Sequence, residues 1–141
     1  MPPTHLPEAT INALPPSYWA QEASVNGVWN SIITSAYPGT KNYVVQPEGQ
    51  SNTTLSKQRN DLLVREIDPA RGTLGVRLVF EGKSSTSSNN LDQAAKQLHD
   101  WLKGAGSGVH NGRKVWCIVA RGTKWRAYQY VSLALFQSTL S

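Results

Sequence analysis

Apolar residues recur along the chain with two different periods. Tyr18, Val25, Val28, Trp29, Ile32, Ile33 and Ala36 follow the three-and-four spacing of one helix face. Ser17, just after Pro15-Pro16, is placed to cap that helix, and Pro38-Gly39 ends it. The same spacing returns at Leu91, Ala94, Ala95, Leu98, Trp101 and Leu102, with Asn90 as the cap and the GAGSG run as the stop. Elsewhere the pattern shortens to strand-like runs: NYVVQPEG at 42–49, DLLVREI at 61–67, VRLVFEGK at 76–83, KVWCIVA at 114–120 and KWRAYQYV at 124–131. The proline-rich residues 1–16 are predicted to lie extended, QSNTTLSKQRN reads as a polar loop, and SLALFQSTLS at the end suits either helix or strand.

The predicted order is helix, three strands, helix, two strands. Short turns make the second and third strands, and the fourth and fifth, antiparallel. A crossover through the second helix makes the third and fourth parallel. The fold class expected is α/β: a mixed central sheet of about five strands flanked by helices, forming one domain over residues 17–141.

Composition adds little to that picture, and charge adds more. The 141 residues carry a formal net charge of +5, and all fourteen Lys and Arg lie from Lys41 onward against seven acids there. A basic body of this kind favours a polyanionic partner such as nucleic acid. The single cysteine, Cys117, excludes an internal disulfide or a cysteine-rich zinc site, and its place inside VWCIVA predicts a packing residue. No stretch is apolar enough to cross a bilayer, and MPPTHLPEAT lacks the basic-then-apolar pattern of a secretory leader, so an intracellular protein without a membrane role is expected.

The chemistry concentrates at LVFEGKSSTSSNN, residues 78–90. Side chains alternate along a strand, so Glu81 and Lys83 share a face. A hairpin turning near Arg71-Gly72 puts Asp61 opposite Glu81 or Lys83, within about 5 Å between Cβ atoms. Two carboxylates that close repel unless a proton or cation intervenes, and hard oxygen donors favour Mg2+ or Mn2+. Glu22 falls inside the apolar stripe of the first helix, and Gln97 at the edge of the second helix's apolar face. Either can reach the patch or turn to water. Alternation also puts Arg65 on the face of Asp61 and Arg77 on that of Glu81, where they would meet a nucleic-acid backbone. Ser84 and Ser85 open a run of small polar residues suited to contacts beside a phosphate or to a plain helix lead-in. His5, His99 and His110 are too scattered for a metal site, and no nucleophile elbow or phosphate-binding glycine loop is present. Trp125 is placed to pack in the core, meet a second copy or stack on a base.

This arrangement resembles the PD-(D/E)XK nuclease superfamily, which has the restriction-endonuclease-like fold. Asn60-Asp61 stands where the family has Pro-Asp, and Glu81-Gly82-Lys83 stands for its acid-x-Lys element. Gln97-Leu98 with Trp101 looks like the helix-borne Gln element of some branches, and Glu22 like the first-helix acid of others. Asn60 departs from the family's proline. The resemblance covers about residues 17–130 and implies metal-dependent phosphodiester hydrolysis on DNA or RNA. Asp61, Glu81 and the Gly82 carbonyl would hold Mg2+ (or Mn2+), and Lys83 would stabilise charge or orient water. Gln97 would fix water or phosphate, and Glu22 would be an outer ligand or base. The family also contains inactive members, so a non-catalytic module binding nucleic acid or a protein partner is the alternative. The short chain fits a homodimer or an accessory role.

Overall fold

The computed structural model describes residues 7–47, 60–105, 114–131 and 135–140. Three α-helices, α1 (Glu8–Asn12), α2 (Glu22–Ala36) and α3 (Leu91–Ala105), flank six strands. The strands are β1 (Tyr43–Pro47), β2 (Leu62–Asp68), β3 (Thr73–Lys83), β4 (Val115–Arg121), β5 (Lys124–Val131) and β6 (Leu135–Leu140). They form one sheet in chain order. Every neighbouring pair is antiparallel except β3 and β4, which the α3 crossover makes parallel. The mixed sheet flanked by helices is the expected α/β class, and the open C-terminal run supplies a sixth strand at 135–140.

Alternation divides the sheet into two faces. Leu63, Val76, Val79, Val115, Cys117 and Val119 close against Ala94, Ala95, Leu98, Trp101 and Leu102 of α3. Leu62, Val64, Leu78, Phe80 and Ala120 meet Val25, Val28 and Ile33 of α2. The apolar stripe of α3 is the one its sequence predicts. Asn90 and Gln93 cap it reciprocally: the Asn90 N–H donates to Gln93 Oε1 at 2.7 Å and the Gln93 N–H to Asn90 Oδ1 at 2.9 Å. Cys117 is fully buried, and that burial raises its thiol pKa, as befits a packing residue.

Three local departures have physical causes. The N-terminal segment is not extended throughout: Glu8–Asn12 forms one helical turn behind Pro7, whose fixed φ of −59° suits a helix start. The first long helix is not continuous from Ser17. Pro16–Ala20 is a 3-10 turn that buries Trp19, Gln21 is extended at φ −110°, and α2 restarts at Glu22. Ser17 therefore lies inside the turn and caps nothing. Finally, β2 and β3 slip between Val64, which faces Leu78, and Arg65, which faces Val76, leaving Arg77 as a bulged residue.

Candidate functional site

The site sits where β2 begins and β3 ends. The backbone N–H of Asp61 still donates to the Phe80 carbonyl at 3.0 Å. The next ladder donor, the Gly82 N–H, is taken by a side chain: it donates to Asp61 Oδ2 at 2.7 Å. This fixes the Asp61 carboxylate against the end of β3. Glu81 pairs laterally with Val119, a member of the α3 core, so its side chain enters the closed face of the sheet and is only 4% exposed.

The electrostatics follow from that burial. Desolvation lifts the Glu81 carboxyl from its ordinary 4.5 to about 8; the Asp61 charge and the more distant Glu22 add to the rise, and Lys83 opposes it. Asp61 is raised too, first by burial, against the pull of the Gly82 N–H and the Lys83 ammonium. The two carboxyls are hydrogen-bonded to each other, with the proton favoured on Glu81. Asp61, Glu81 and Lys83 thus meet as the hairpin reading expects, with Glu22 in electrostatic range. Such a pair keeps a proton near neutral pH.

Asn26 is the residue that sequence reasoning missed. It lies one helical turn beyond Glu22, and its amide donates to Asp61. A Cβ on Gly82 would overlap Asn26 Oδ1, so the glycine admits this side chain. Asn26 Oδ1 is buried without a hydrogen-bond partner, as are both amide atoms of the neighbouring Asn60. The i, i+4 spacing from Glu22 was the available signal, but an uncharged residue at a helix edge does not announce a role.

Other expected residues fall elsewhere. Glu22 is exposed in the first turn of α2 rather than facing the sheet, and reaches the site only through its field. Gln97 is exposed on α3 rather than turned toward the carboxylates. The bulge corrects the alternation assumed for Arg77: its Nε donates to Glu66 at 2.9 Å, and its guanidinium lies 3.1 Å from where a Cβ on Gly75 would stand. Arg65 is partly exposed, four residues along from Asp61, or about 13 Å at strand rise. Ser84 Oγ lies 3.3 Å from Thr86 Oγ1, while the Ser85 N–H donates to the Trp19 carbonyl at 2.9 Å. His99 packs edge-on to Tyr130 at 5.6 Å between ring centroids, away from the carboxylates, and His5 and His110 lie outside the described residues. The polar loop at 50–60 is described only at Asn60.

Among the described residues, no three His, Cys, Asp or Glu side chains gather as a metal-holding group. The pair of Asp61 and Glu81 is a sufficient protein share for Mg2+, which binds through one or two carboxylates and keeps several waters. Among these residues, too, no helix is long and apolar enough to cross a membrane. In comparisons with known proteins, no family model, curated protein or solved structure matches the chain.

Proposed function

We propose that the chain is a Mg2+- or Mn2+-dependent nuclease of the PD-(D/E)XK kind, hydrolysing phosphodiester bonds of nucleic acid. The observation that carries this reading is the convergence of Asp61, Glu81 and Lys83 at one strand end, with both carboxyls raised by burial and Glu81 raised further by the Asp61 charge. Asp61, oriented by the Gly82 N–H, and Glu81 are the residues that would hold the ion, and the Gly82 carbonyl is a third candidate donor. When bound, a divalent ion polarises a phosphate oxygen and lowers the pKa of a water. Lys83 supplies a fixed positive charge toward the oxygens on which charge develops. Asn26 and Gly82 hold Asp61 in place, Glu22 adds negative potential at the mouth, and the closed α3 face excludes water from the Glu81 side.

The test is cleavage of single- and double-stranded DNA and RNA by the purified chain, with Mg2+, with Mn2+ and with chelator. Activity that needs the metal, and that falls at least about 100-fold in Lys83→Ala and Glu81→Ala, is expected. Wild-type protein that cleaves none of these with either ion contradicts the proposal. A second reading, a non-catalytic module of the same architecture, is favoured by the exposure of Glu22 and Gln97, which leaves two carboxylates, Asp61 and Glu81, at the centre among the described residues. It predicts nucleic-acid binding that Glu81→Ala leaves intact and no cleavage.

A further inference from the structure

The register of the sheet carries the positive charge of Lys83 sideways. Lys83 pairs with Arg121 on β4, and Arg121 pairs with Lys124 on β5. Laterally paired residues project to the same side of a sheet. Two residues back, Glu81 pairs with Val119 and Val119 with Arg126, and Val119 belongs to the core under α3. The α3 face therefore carries, at its end, the row Glu81–Val119–Arg126 followed by a row of three cations, Lys83–Arg121–Lys124. Strands lie about 4.8 Å apart, so the cationic row spans roughly 10 Å.

The row leads into a recess. Arg121, Lys124 and Arg126 line a cavity of about 310 Å³ with Asn90, Leu91 and Asp92. The Arg121 side chain is held in position by donating Nε and Nη2 hydrogen bonds to the Ser87 carbonyl at 3.2 and 2.8 Å. Arg126 Nη1 donates to Asp92 Oδ1 at 2.7 Å. Three cations face one carboxylate there, and Lys124 is exposed on the tight β4–β5 turn.

We propose that Lys83, Arg121 and Lys124 form a track for successive phosphates of one nucleic-acid strand. The recess takes a phosphate adjacent to the one that meets Asp61 and Glu81. This rests on the nuclease reading for its ligand and for the direction of the track. Long flexible cations beside a fixed arginine can follow a repeating anion, and cations in such a row act through counterion release.

The experiment is equilibrium binding of a labelled single-stranded oligonucleotide across a salt series, in chelator so that no cleavage intervenes. Wild type is compared with Lys124→Ala, Arg121→Ala and Lys103→Ala, the last at the far end of α3. Each track substitution is expected to reduce the steepness of log K against log salt by about 0.7, while Lys103→Ala leaves it unchanged. Arg121→Ala also frees the Ser87 loop, so Lys124→Ala, at an exposed turn, is the decisive variant. An unchanged slope in Lys124→Ala, an equal loss in Lys103→Ala, or no wild-type binding at low salt overturns the track. So does polyglutamate competing on equal terms with the oligonucleotide at matched charge, which would assign the surface to an acidic protein. If binding behaves as expected and no cleavage is found with any metal, the nuclease reading falls and the track stands.

Discussion

The two faces of the sheet are closed to different degrees. Under α3, Leu63, Val79, Leu98, Trp101, Leu102, Val115, Cys117 and Val119 are all at most 1% exposed. Under α2, Trp29, Ile32, Trp116 and Ile118 are only partly buried, and Trp125 is 40% exposed. A cavity of about 990 Å³ opens there between α1, α2 and the strands β3 to β5. Trp29 bridges part of the gap, stacking on Phe80 at 5.5 Å and meeting Trp125 edge-on at 5.6 Å. The candidate carboxylate Glu81 enters the tight face. Its burial there accounts for its electrostatics: the carboxyl loses its hydration and holds its proton more tightly.

Mutations on the two faces should differ in cost. The largest effect expected is Leu98→Ala, which empties a fully packed site and costs about 2–5 kcal/mol in denaturant unfolding. Ile32→Ala, on the wall of an existing cavity, removes fewer contacts and costs about 1–2 kcal/mol. Equal losses would show that both faces are packed alike in solution. Gly82→Ala probes the join between the faces. Its new methyl meets Asn26 Oδ1 and lies 3.1 Å from the Phe80 ring, so a loss of about 1–3 kcal/mol is expected. Adding Asn26→Ala should recover part of that loss, and a double-mutant cycle without coupling would place Asn26 elsewhere.

Much of this fold is legible in the sequence because several local signals agree. In α3 the apolar stripe, the Asn90 cap and the glycine stop all point to one helix, and its length dictates the parallel β3–β4 pair. The meeting of Asp61 with Glu81 was legible because the hairpin turn near Gly72, at φ 65°, sets the register. What was hidden depends on features with no residue code. The slip at Val64/Arg65 breaks alternation at Arg77, which is itself neither glycine nor proline, and so Arg77 turns to Glu66 instead of the site. The interruption at Gln21 is a backbone choice favoured by Trp19 burial, not by a breaker residue. Asn26 depends on a tertiary fit to Gly82 that no one-dimensional pattern contains.

Half-buried Asp61 and buried Glu81 form an acid pair that, on the nuclease reading, is held for a cation. Glu81 has a folded-state pKa of about 8 against an ordinary 4.5. The folded protein therefore keeps a proton that the unfolded chain releases. Its contribution to stability is complete below about pH 4.5 and is lost as pH rises through about 8, a change on the order of a few kcal/mol. The most direct measurement is thermal unfolding of wild type and Glu81→Gln from pH 5 to 9, with and without Mg2+. Without Mg2+, the wild-type Tm should fall across this range more steeply than that of Glu81→Gln. At pH 8 the ion should raise the wild-type Tm and leave the variant nearly unmoved. Superimposable pH profiles, or an equal response of both proteins to Mg2+, would contradict the account.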